Sequence, residues 1–342
     1  MKRISMVMCR PATNRPLVDT YGGHLNMDLV MMNPRRQKEK IVVILGATGT
    51  GKSRLSIDIA SRFPAEIVNS DKMQVYKGLD VVTNKITEDE QCGIPHHLLG
   101  TVPPDEDFTR ADFCYEASLA IGSIGARSQL PVVVGGSNSY VEALVTNHEY
   151  YNYHFRSPMY DCCFLWVDVE MPVLHKYVCD RVDRMVQQGL VDEVREMFDP
   201  EADYSKGIRR AIGVPELDRY FRTKKFLNRQ ARARVLKEAI EEIKKNTCKL
   251  ASRQREKIHR LWNLKGWSLH RLNATKVFHR RGEEADRVWD ELVAGPGAAI
   301  VTEFLYKNAA LVDSGGFTCD PLLGIRFPHA IETTITASTV AR

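Results

Sequence analysis

The sequence predicts an α/β fold in which a mostly parallel sheet forms the core and a smaller helical lobe is appended to it. Ile41–Leu45 is a continuous apolar run rich in β-branched residues, typical of a strand buried on both faces of a parallel sheet. Ala65–Asn69 and Leu130–Val134 are two further predicted strands. With 342 residues, 44% of them hydrophobic, the chain can bury a large core.

A glycine-rich motif follows the first strand directly. Gly46–Ser53 fits G-x-x-x-x-G-K-[ST] at every fixed position, and the segment from Arg54 to Phe63 then has helical spacing of apolar residues. Strand, motif and helix stand in the order of a phosphate-binding loop, so the core is predicted to be like that of P-loop NTPases. The predicted phosphate-binding residues are Gly46, Ala47, Thr48, Gly49, Thr50, Gly51, Lys52 and Ser53.

The chemistry expected of this loop is anion binding. Glycines let backbone N–H groups turn toward a phosphate, and the helix N-terminus adds a favourable dipole. Lys52 would reach the phosphate oxygens, and the Ser53 hydroxyl would ligate Mg²⁺, the predicted cofactor. The motif leaves open which phosphate compound is bound.

Polar residues follow the next two predicted strands. Asp71 comes just after Ala65–Asn69, at the strand end where open α/β sheets bind ligands, and serves either magnesium or proton transfer as a general base. Gly135 and Gly136 follow Leu130–Val134 in place of the acid that ATP-hydrolysing enzymes commonly carry there. These glycines permit close approach of a ligand, or form a plain turn.

Taken in order, these and later motifs resemble the isopentenyltransferase family, which includes tRNA dimethylallyltransferases and plant adenylate isopentenyltransferases. The resemblance spans roughly residues 40–280. The matching segments are Gly46–Ser53, Asn69–Tyr76, Ile94–Leu98, Phe108–Phe113, Gly135–Tyr140, Arg181–Met185, Gly189–Val194, Arg210–Gly213 and Thr247–Gln254.

The resemblance implies transfer of a dimethylallyl group from its diphosphate to N6 of an adenine, with release of diphosphate. Asp71 matches the family's general base, and Thr48, Arg210 and Lys52 match groups that stabilise the departing diphosphate. The further binding residues that it implies are Gln74, Lys85, Ser137, Arg181, Arg184 and Arg253. Arg181 and Arg184 lie three apart on a helix predicted between Val173 and Met197, where they face either the substrate or solvent.

The acceptor distinguishes the subfamilies. Residues 1–40 hold eight of the 48 Lys and Arg but three of the 43 Asp and Glu, so the remaining chain is neutral overall. The segment Ile212–Leu217 also differs from the Gly-Tyr-Arg-Gln usual in tRNA enzymes, and no C-terminal zinc finger is present. The resemblance is therefore to adenylate enzymes that modify ATP or ADP in preference to AMP, the first step of cytokinin biosynthesis.

Alternatives remain open on the sequence alone. The same chemistry would serve a tRNA dimethylallyltransferase, and the P-loop would serve a small-molecule kinase or, more distantly, a non-catalytic nucleotide-binding module. A basic stretch from Lys244 to Arg281, with Glu256 its one acid, would bind the nucleotide's phosphates or form a solvated helix face. Dimethylallyl diphosphate and an adenine nucleotide are the expected partners; neither nucleic acid nor a membrane is expected, and a monomer is compatible with the sequence.

Four segments organise the chain. Residues 1–40, basic and broken by prolines, read as a leader, which the resemblance would send to a plastid with the cytosol as alternative, or as a disordered tail. Residues 41–171 are predicted to form the P-loop core, 172–265 the helical lobe, and 266–342 a segment partly returning to the core. The eight cysteines form no C-x-x-C pair and read as reduced thiols, without a structural zinc site.

Overall fold

The computed structural model describes residues 38–146 and 160–307, together with the backbone of 318–319 and 326–327. A six-stranded sheet has the order β3-β2-β4-β1-β5-β6, and all its neighbouring strands are parallel. Its strands are β1 (Glu39–Gly46), β2 (Ala65–Asn69), β3 (His96–His97), β4 (Leu130–Val134), β5 (Tyr160–Asp168) and β6 (Leu269–Asn273). The predicted parallel sheet is confirmed.

Helices cover both faces of this sheet. They are α1 (Lys52–Ala60), α2 (Glu88–Gln91), α3 (Arg110–Ala126), α4 (Asn138–Thr146), α5 (Met171–Gln187), α6 (Leu190–Met197), α7 (Val214–Thr223), α8 (Arg229–Lys265), α9 (Gly282–Trp289) and α10 (Gly295–Tyr306). Short 3₁₀ turns span Gly207–Arg210 and Thr275–His279, and a π-helical turn, Asp290–Ala294, joins α9 to α10. A short antiparallel pair joins Thr318–Cys319 to Arg326–Phe327.

The central strand explains why an unbroken apolar run is needed. Side chains of Ile41 to Leu45 are fully buried, and because they alternate across the sheet they enter two different hydrophobic clusters. Val43 packs on one face, and Val42 and Ile44 pack on the other. A strand covered on both faces has no side that could carry polar residues.

The helical segment shares its core with the sheet. Ile243 and Ile258 of α8 belong to the same buried cluster as Val43 and Trp166 of the sheet, and residues 38–146 and 160–307 belong to one compact unit. The helix predicted between Val173 and Met197 is two helices, because Gly189 has a φ of 103° and caps α6 in the left-handed region. That prediction of one continuous helix is wrong.

The end of the described chain returns to the core and supports the phosphate loop. β6 pairs with β5 and ends at Asn273. Trp289 of α9 is 2% exposed and donates a hydrogen bond from Nε1 to Asp58 Oδ2 of α1 at 2.7 Å. Lys40 Nζ of β1 donates to two carbonyls at the end of α10, those of Phe304 and Leu305.

The predictions for the two ends of the chain concern residues that the structure largely does not describe. The leader or tail predicted over residues 1–40 lies almost entirely outside the described residues, as does most of the chain after residue 307. Within the described part of the chain, none of the helices combines the length and the hydropathy required to cross a bilayer.

Candidate active site

A cavity of about 590 Å³ opens at the carboxyl ends of β1, β2 and β4, with α5 and α8 on its other side. The predicted site residues that line it are Thr48, Gly49, Gly51, Lys52, Ser53, Asp71, Gln74, Arg181, Arg184 and Arg210. Six other predicted residues do not line it, namely Gly46, Ala47, Thr50, Lys85, Ser137 and Arg253. The structure therefore brings together the end of β1, the turn after β2 and one face of α5.

A hydrogen bond inside the phosphate loop and the packing of Trp289 against it fix the shape of the loop. Gly49 and Gly51 have φ values of 85° and 98°, in the left-handed region that favours glycine. A Cβ at Gly51 would lie 2.6 Å from the indole of Trp289, so only glycine fits there. Thr50 Oγ1 closes the turn by donating to the Ala47 carbonyl at 3.0 Å. Ala47 and Thr50 thus shape the loop from outside the cavity.

Lys52 places a buried ammonium group at this loop. Its Nζ donates to the Ala47 carbonyl at 2.8 Å. Burial lowers the pKa of Lys52 to about 8, with the Arg181 charge adding to the effect and the Asp71 carboxylate opposing it. Lys52, Arg181 and Asp71 are therefore close enough to interact electrostatically.

Thr48 is held on two sides. Its backbone N–H donates to Gln254 Oε1 at 2.7 Å, and its hydroxyl oxygen accepts from a terminal nitrogen of Arg181 at 2.9 Å. Because the hydroxyl oxygen accepts from Arg181, its own proton is available for another acceptor. The Nε of Arg181 is buried and has no hydrogen-bond partner among the described residues, which leaves a cationic donor in the cavity wall.

Asp71 is fixed by a tight turn after β2. Its Oδ1 accepts the Met73 N–H at 2.9 Å, and its own N–H donates to Asn69 Oδ1 at 3.1 Å. The hydroxyl of Ser137 accepts the next amide, that of Lys72, at 2.9 Å. Ser137 therefore holds the turn that carries Asp71 and does not itself reach the cavity.

The two glycines after β4 allow other residues of the protein to pack closely against their turn. A Cβ at Gly135 would lie 2.5 Å from the Asp71 backbone nitrogen. A Cβ at Gly136 would lie 2.4 Å from Gln254 Nε2 and 3.0 Å from Asp71 Oδ2. The missing side chains therefore allow Asp71 and Gln254 to pack against this turn, which also lines the cavity.

A second group of cations lies around Lys72. Burial lowers the pKa of Lys72, and the charges of Arg210 and Lys257 lower it further while Asp107 opposes them. A terminal nitrogen of Arg210 lies 3.3 Å from the Tyr76 hydroxyl and 3.8 Å from Asp107. These neighbours differ from those of Lys52, so the cavity has two distinct cationic regions.

The adjacent arginine is turned elsewhere. Arg209 donates from Nε to Asp105 at 3.2 Å and from a terminal nitrogen to the Met197 carbonyl at 2.6 Å. Of the two neighbours, Arg210 is the one that lines the cavity.

The loop before α2 forms part of the cavity wall and is held by residues on both sides. Gln74 Nε2 donates to the carbonyls of Thr83 and Asn84 at 3.2 and 3.0 Å. Glu193 of α6 accepts the amides of Val81 and Val82 at 3.0 and 2.8 Å. The ammonium of Lys85 is 2.5 Å from both Asp80 Oδ1 and the Gly78 carbonyl, so in this structure it stabilises the loop.

On α8 the inward position belongs to Gln254, whereas Arg253 is exposed. Thr247, Leu250 and Gln254 line the cavity, and their spacing of three and four residues places them on one helix face. Arg253 is one residue, or about 100°, away from that face. Counting the helical period from Thr247 would have selected Gln254, a residue that the sequence analysis did not single out.

Comparison with known proteins finds a matching family and similar sequences. The family model described as IPP transferase matches residues 74–156 and 147–260, more than half of the chain. The chain is 55% identical to adenylate isopentenyltransferase 3, chloroplastic, of Arabidopsis thaliana over 90% of its own length and 92% of that protein. It is 59% identical to adenylate isopentenyltransferase 5, chloroplastic, of the same plant, over 79% and 81%.

A solved structure has the same fold. The structure of a eukaryotic dimethylallyltransferase acting on tRNA superposes with a TM-score of 0.67 at 26% identity, covering 79% of this chain and 80% of that one. The P-loop core, the family model and relatives at this level of identity lead to one conclusion: the chain belongs to the IPP transferase family.

Proposed function

We propose that this protein transfers the dimethylallyl group of dimethylallyl diphosphate to N6 of the adenine of a free adenine nucleotide and releases diphosphate, the first step of cytokinin biosynthesis. The observation that carries the proposal is the position of the Asp71 carboxylate in one cavity with the phosphate loop, electrostatically coupled to Lys52 and Arg181. Relatives at 55% and 59% identity named adenylate isopentenyltransferase support it.

The proposed chemistry starts from a weak nucleophile. An aromatic amine attacks poorly until a carboxylate orients it and removes its proton as the new C–N bond forms. Asp71 is suited to this task because one oxygen is held by the Met73 amide and the other adjoins Gly136. We assign Asp71 the role of general base.

The allylic C–O bond breaks as the C–N bond forms, and negative charge grows on the departing diphosphate. The Thr48 hydroxyl, with its oxygen already accepting from Arg181, has a proton to donate to that charge. Lys52 and Arg181 supply buried positive charge at the same end of the cavity. We propose that these three residues stabilise the leaving group, with Gly49, Gly51 and Arg184 also contacting the diphosphate.

Magnesium fits the residues present. The hydroxyl of Ser53 and the carboxylate of Asp71 both line the cavity, and such hard oxygen donors suit Mg²⁺. Among the described residues there is no group of three or more His, Cys, Asp or Glu that could hold a metal alone. We propose that Ser53 ligates Mg²⁺ that arrives with the diphosphate and neutralises part of its charge.

The second cationic region suits the phosphates of the acceptor. Lys72, Arg210 and Lys257 are close enough for their charges to interact, and Lys257 belongs to the basic stretch expected to bind the nucleotide. We propose that this region binds the acceptor's phosphates and favours ATP and ADP over AMP. The resemblance had assigned Arg210 to the departing diphosphate, and the two roles predict different kinetics.

A plastid is the proposed destination, because both of the relatives described carry the word chloroplastic in their names and residues 1–40 are basic. The full chain fused to a fluorescent protein at its C-terminus would localise with chlorophyll fluorescence. Diffuse cytosolic fluorescence, or fluorescence in mitochondria, would contradict this destination.

A mass-spectrometric product assay tests the function. The purified chain, Mg²⁺ and dimethylallyl diphosphate are offered ATP, ADP, AMP and unmodified tRNA in parallel. We expect a dimethylallyl mass gain on the free nucleotides and none on tRNA. Modification of tRNA alone would indicate a tRNA dimethylallyltransferase, and phosphorylated product without prenyl transfer would indicate a kinase.

A further inference from the structure

A glutamine on α8 joins two loops that carry the proposed chemistry. Gln254 is 7% exposed, and its carboxamide makes one hydrogen bond on each side: Oε1 accepts from the Thr48 N–H at 2.7 Å, and Nε2 donates to the Gly136 carbonyl at 2.9 Å. Its backbone carbonyl accepts from Asn138 Nδ2 at 3.0 Å. Both the side chain and the backbone of Gln254 are thus held in place.

The two loops lie on different sides of the reaction. Thr48 belongs to the phosphate loop after β1, whereas Gly136 belongs to the turn after β4, which packs against Asp71 Oδ2 of the turn after β2. In the sheet, β1 and β2 are not neighbours, because β4 separates them. Gln254 links the phosphate loop, expected to hold the leaving group, to the turn after β4, and that turn packs against Asp71, the proposed base.

The chemistry of a carboxamide matches this task. The phosphate loop presents a donor and the Gly136 turn presents an acceptor, and a carboxamide offers one acceptor and two donors on a planar group. A hydrocarbon of the same size would leave a buried amide and a buried carbonyl without partners, which is costly. A carboxylate would satisfy the Thr48 amide but face the Gly136 carbonyl with a second acceptor.

We infer that Gln254 is a positioning residue that sets the separation between Thr48 and Asp71. This inference rests on the proposed function: the prenyl carbon is held through the diphosphate, the adenine amine is held at Asp71, and the two must meet at bonding distance. Gln254 acts through the two loops and does not contact the reacting atoms.

The test compares two substitutions with a matched control on the same helix. Gln254→Leu removes both hydrogen bonds, Gln254→Glu keeps the bond to Thr48, and Gln230→Leu changes an exposed glutamine in the first turn of α8. We expect Gln254→Leu to lower kcat by about 100-fold while KM for either substrate changes by less than about 3-fold. Gln254→Glu should fall between, and Gln230→Leu should match the native chain.

A second measurement separates positioning from a general loss of structure. In a Thr48→Ala background the hydroxyl that Gln254 positions is absent, so Gln254→Leu should then cost less than about 5-fold in kcat. Circular dichroism melting curves show whether each variant is folded, and if Gln254→Leu is not, Gln254→Glu carries the comparison.

Three results would overturn the inference. They are unchanged kcat in folded Gln254→Leu, a loss that appears in KM alone, and full multiplication of the two losses in the double variant. Absence of prenyl transfer by the native chain would refute the proposed function and this inference with it. Native transfer with an unaffected Gln254→Leu variant would refute this inference alone.

Discussion

The cavity has two cationic regions that hold their cations differently: the phosphate-loop end around Lys52 and Arg181, and the acceptor end around Lys72 and Arg210. At the phosphate-loop end, Lys52 and Arg181 donate to neutral groups, the Ala47 carbonyl and the Thr48 hydroxyl. At the other end, Arg210 lies 3.8 Å from the carboxylate of Asp107, whose charge also opposes the shift of Lys72. The cations of the first end have the Asp71 carboxylate nearby but form no ion pair with it among the described residues, whereas Arg210 at the second end is paired with Asp107.

This difference favours separate tasks for the two ends of the cavity: one for the departing diphosphate and one for the phosphates of the acceptor. A diphosphate that leaves in every cycle requires fixed, dry charge, because preorganised groups stabilise developing charge without rearrangement. An acceptor that carries one, two or three phosphates requires positive charge that can adapt to the number of phosphates.

Asp71→Asn should produce the largest effect. The amide keeps the size of the side chain but cannot accept the amine proton, so kcat should fall by about 10²–10⁴-fold. Affinity for inorganic diphosphate, measured by calorimetry, should change little because the phosphate loop is intact. Equal loss of turnover and of diphosphate binding would instead assign Asp71 to the metal or to the fold.

Arg210→Gln should affect the acceptor end alone. We expect KM for ATP and ADP to rise about 10-fold, with a smaller rise for AMP, because a charge-assisted contact to the outer phosphates is lost. Arg209→Gln is the matched control, since Arg209 is bound to Asp105 and Met197 and does not line the cavity. A fall in kcat with every acceptor would favour the role at the departing diphosphate.

The pH dependence of diphosphate binding should distinguish the first end. Burial lowers the pKa of Lys52 to about 8, so the free protein loses this charge as pH rises above that value, whereas bound diphosphate keeps the proton on Lys52. Affinity should therefore weaken by up to about tenfold per pH unit above this pKa, with proton uptake on binding. Calorimetry of the Lys52→Met variant subtracts the titration of diphosphate itself, and parallel profiles would contradict the prediction.

Asp107→Asn should have the smallest effect and the opposite sign. Removing this carboxylate strengthens the positive potential around Arg210 and Lys72, so KM for ADP should fall by about 2–3-fold at low ionic strength. Asp105→Asn is the matched control, because Asp105 pairs with Arg209. Steady-state kinetics at two salt concentrations check this, and an unchanged KM at both would remove Asp107 from the acceptor end.

The sequence was most informative where local chemistry determines local structure. The strands predicted at Ala65–Asn69 and Leu130–Val134 have those bounds in the structure, because each is a short, mostly apolar segment that ends at a turn. The phosphate loop was equally readable, since its glycines and Lys52 are required by the turn and by the anion.

The opposite side of the cavity was harder to predict from the sequence, because segments that are far apart in the sequence build it. Gln254 is 206 residues from its partner Thr48, and only the helical period counted from Thr247 distinguishes it from its neighbour Arg253. Glu193, which holds the loop before α2 through two amides, is likewise identified by its contacts. The break at Gly189 depends on a backbone conformation with positive φ, which glycine permits but does not require.

The packing of Trp289 beneath Gly51 has a consequence for the order of events during protein synthesis. The phosphate loop leaves the ribosome early, but the indole against which it packs and the α10 carbonyls that bind Lys40 are made near the end of the described chain. The loop therefore cannot reach its final support until residues 289 to 305 have been synthesised. Until then the hydrophobic cluster in which Leu55 and Ile59 pack on the sheet lacks the side chains of Trp289, Val293 and Val301.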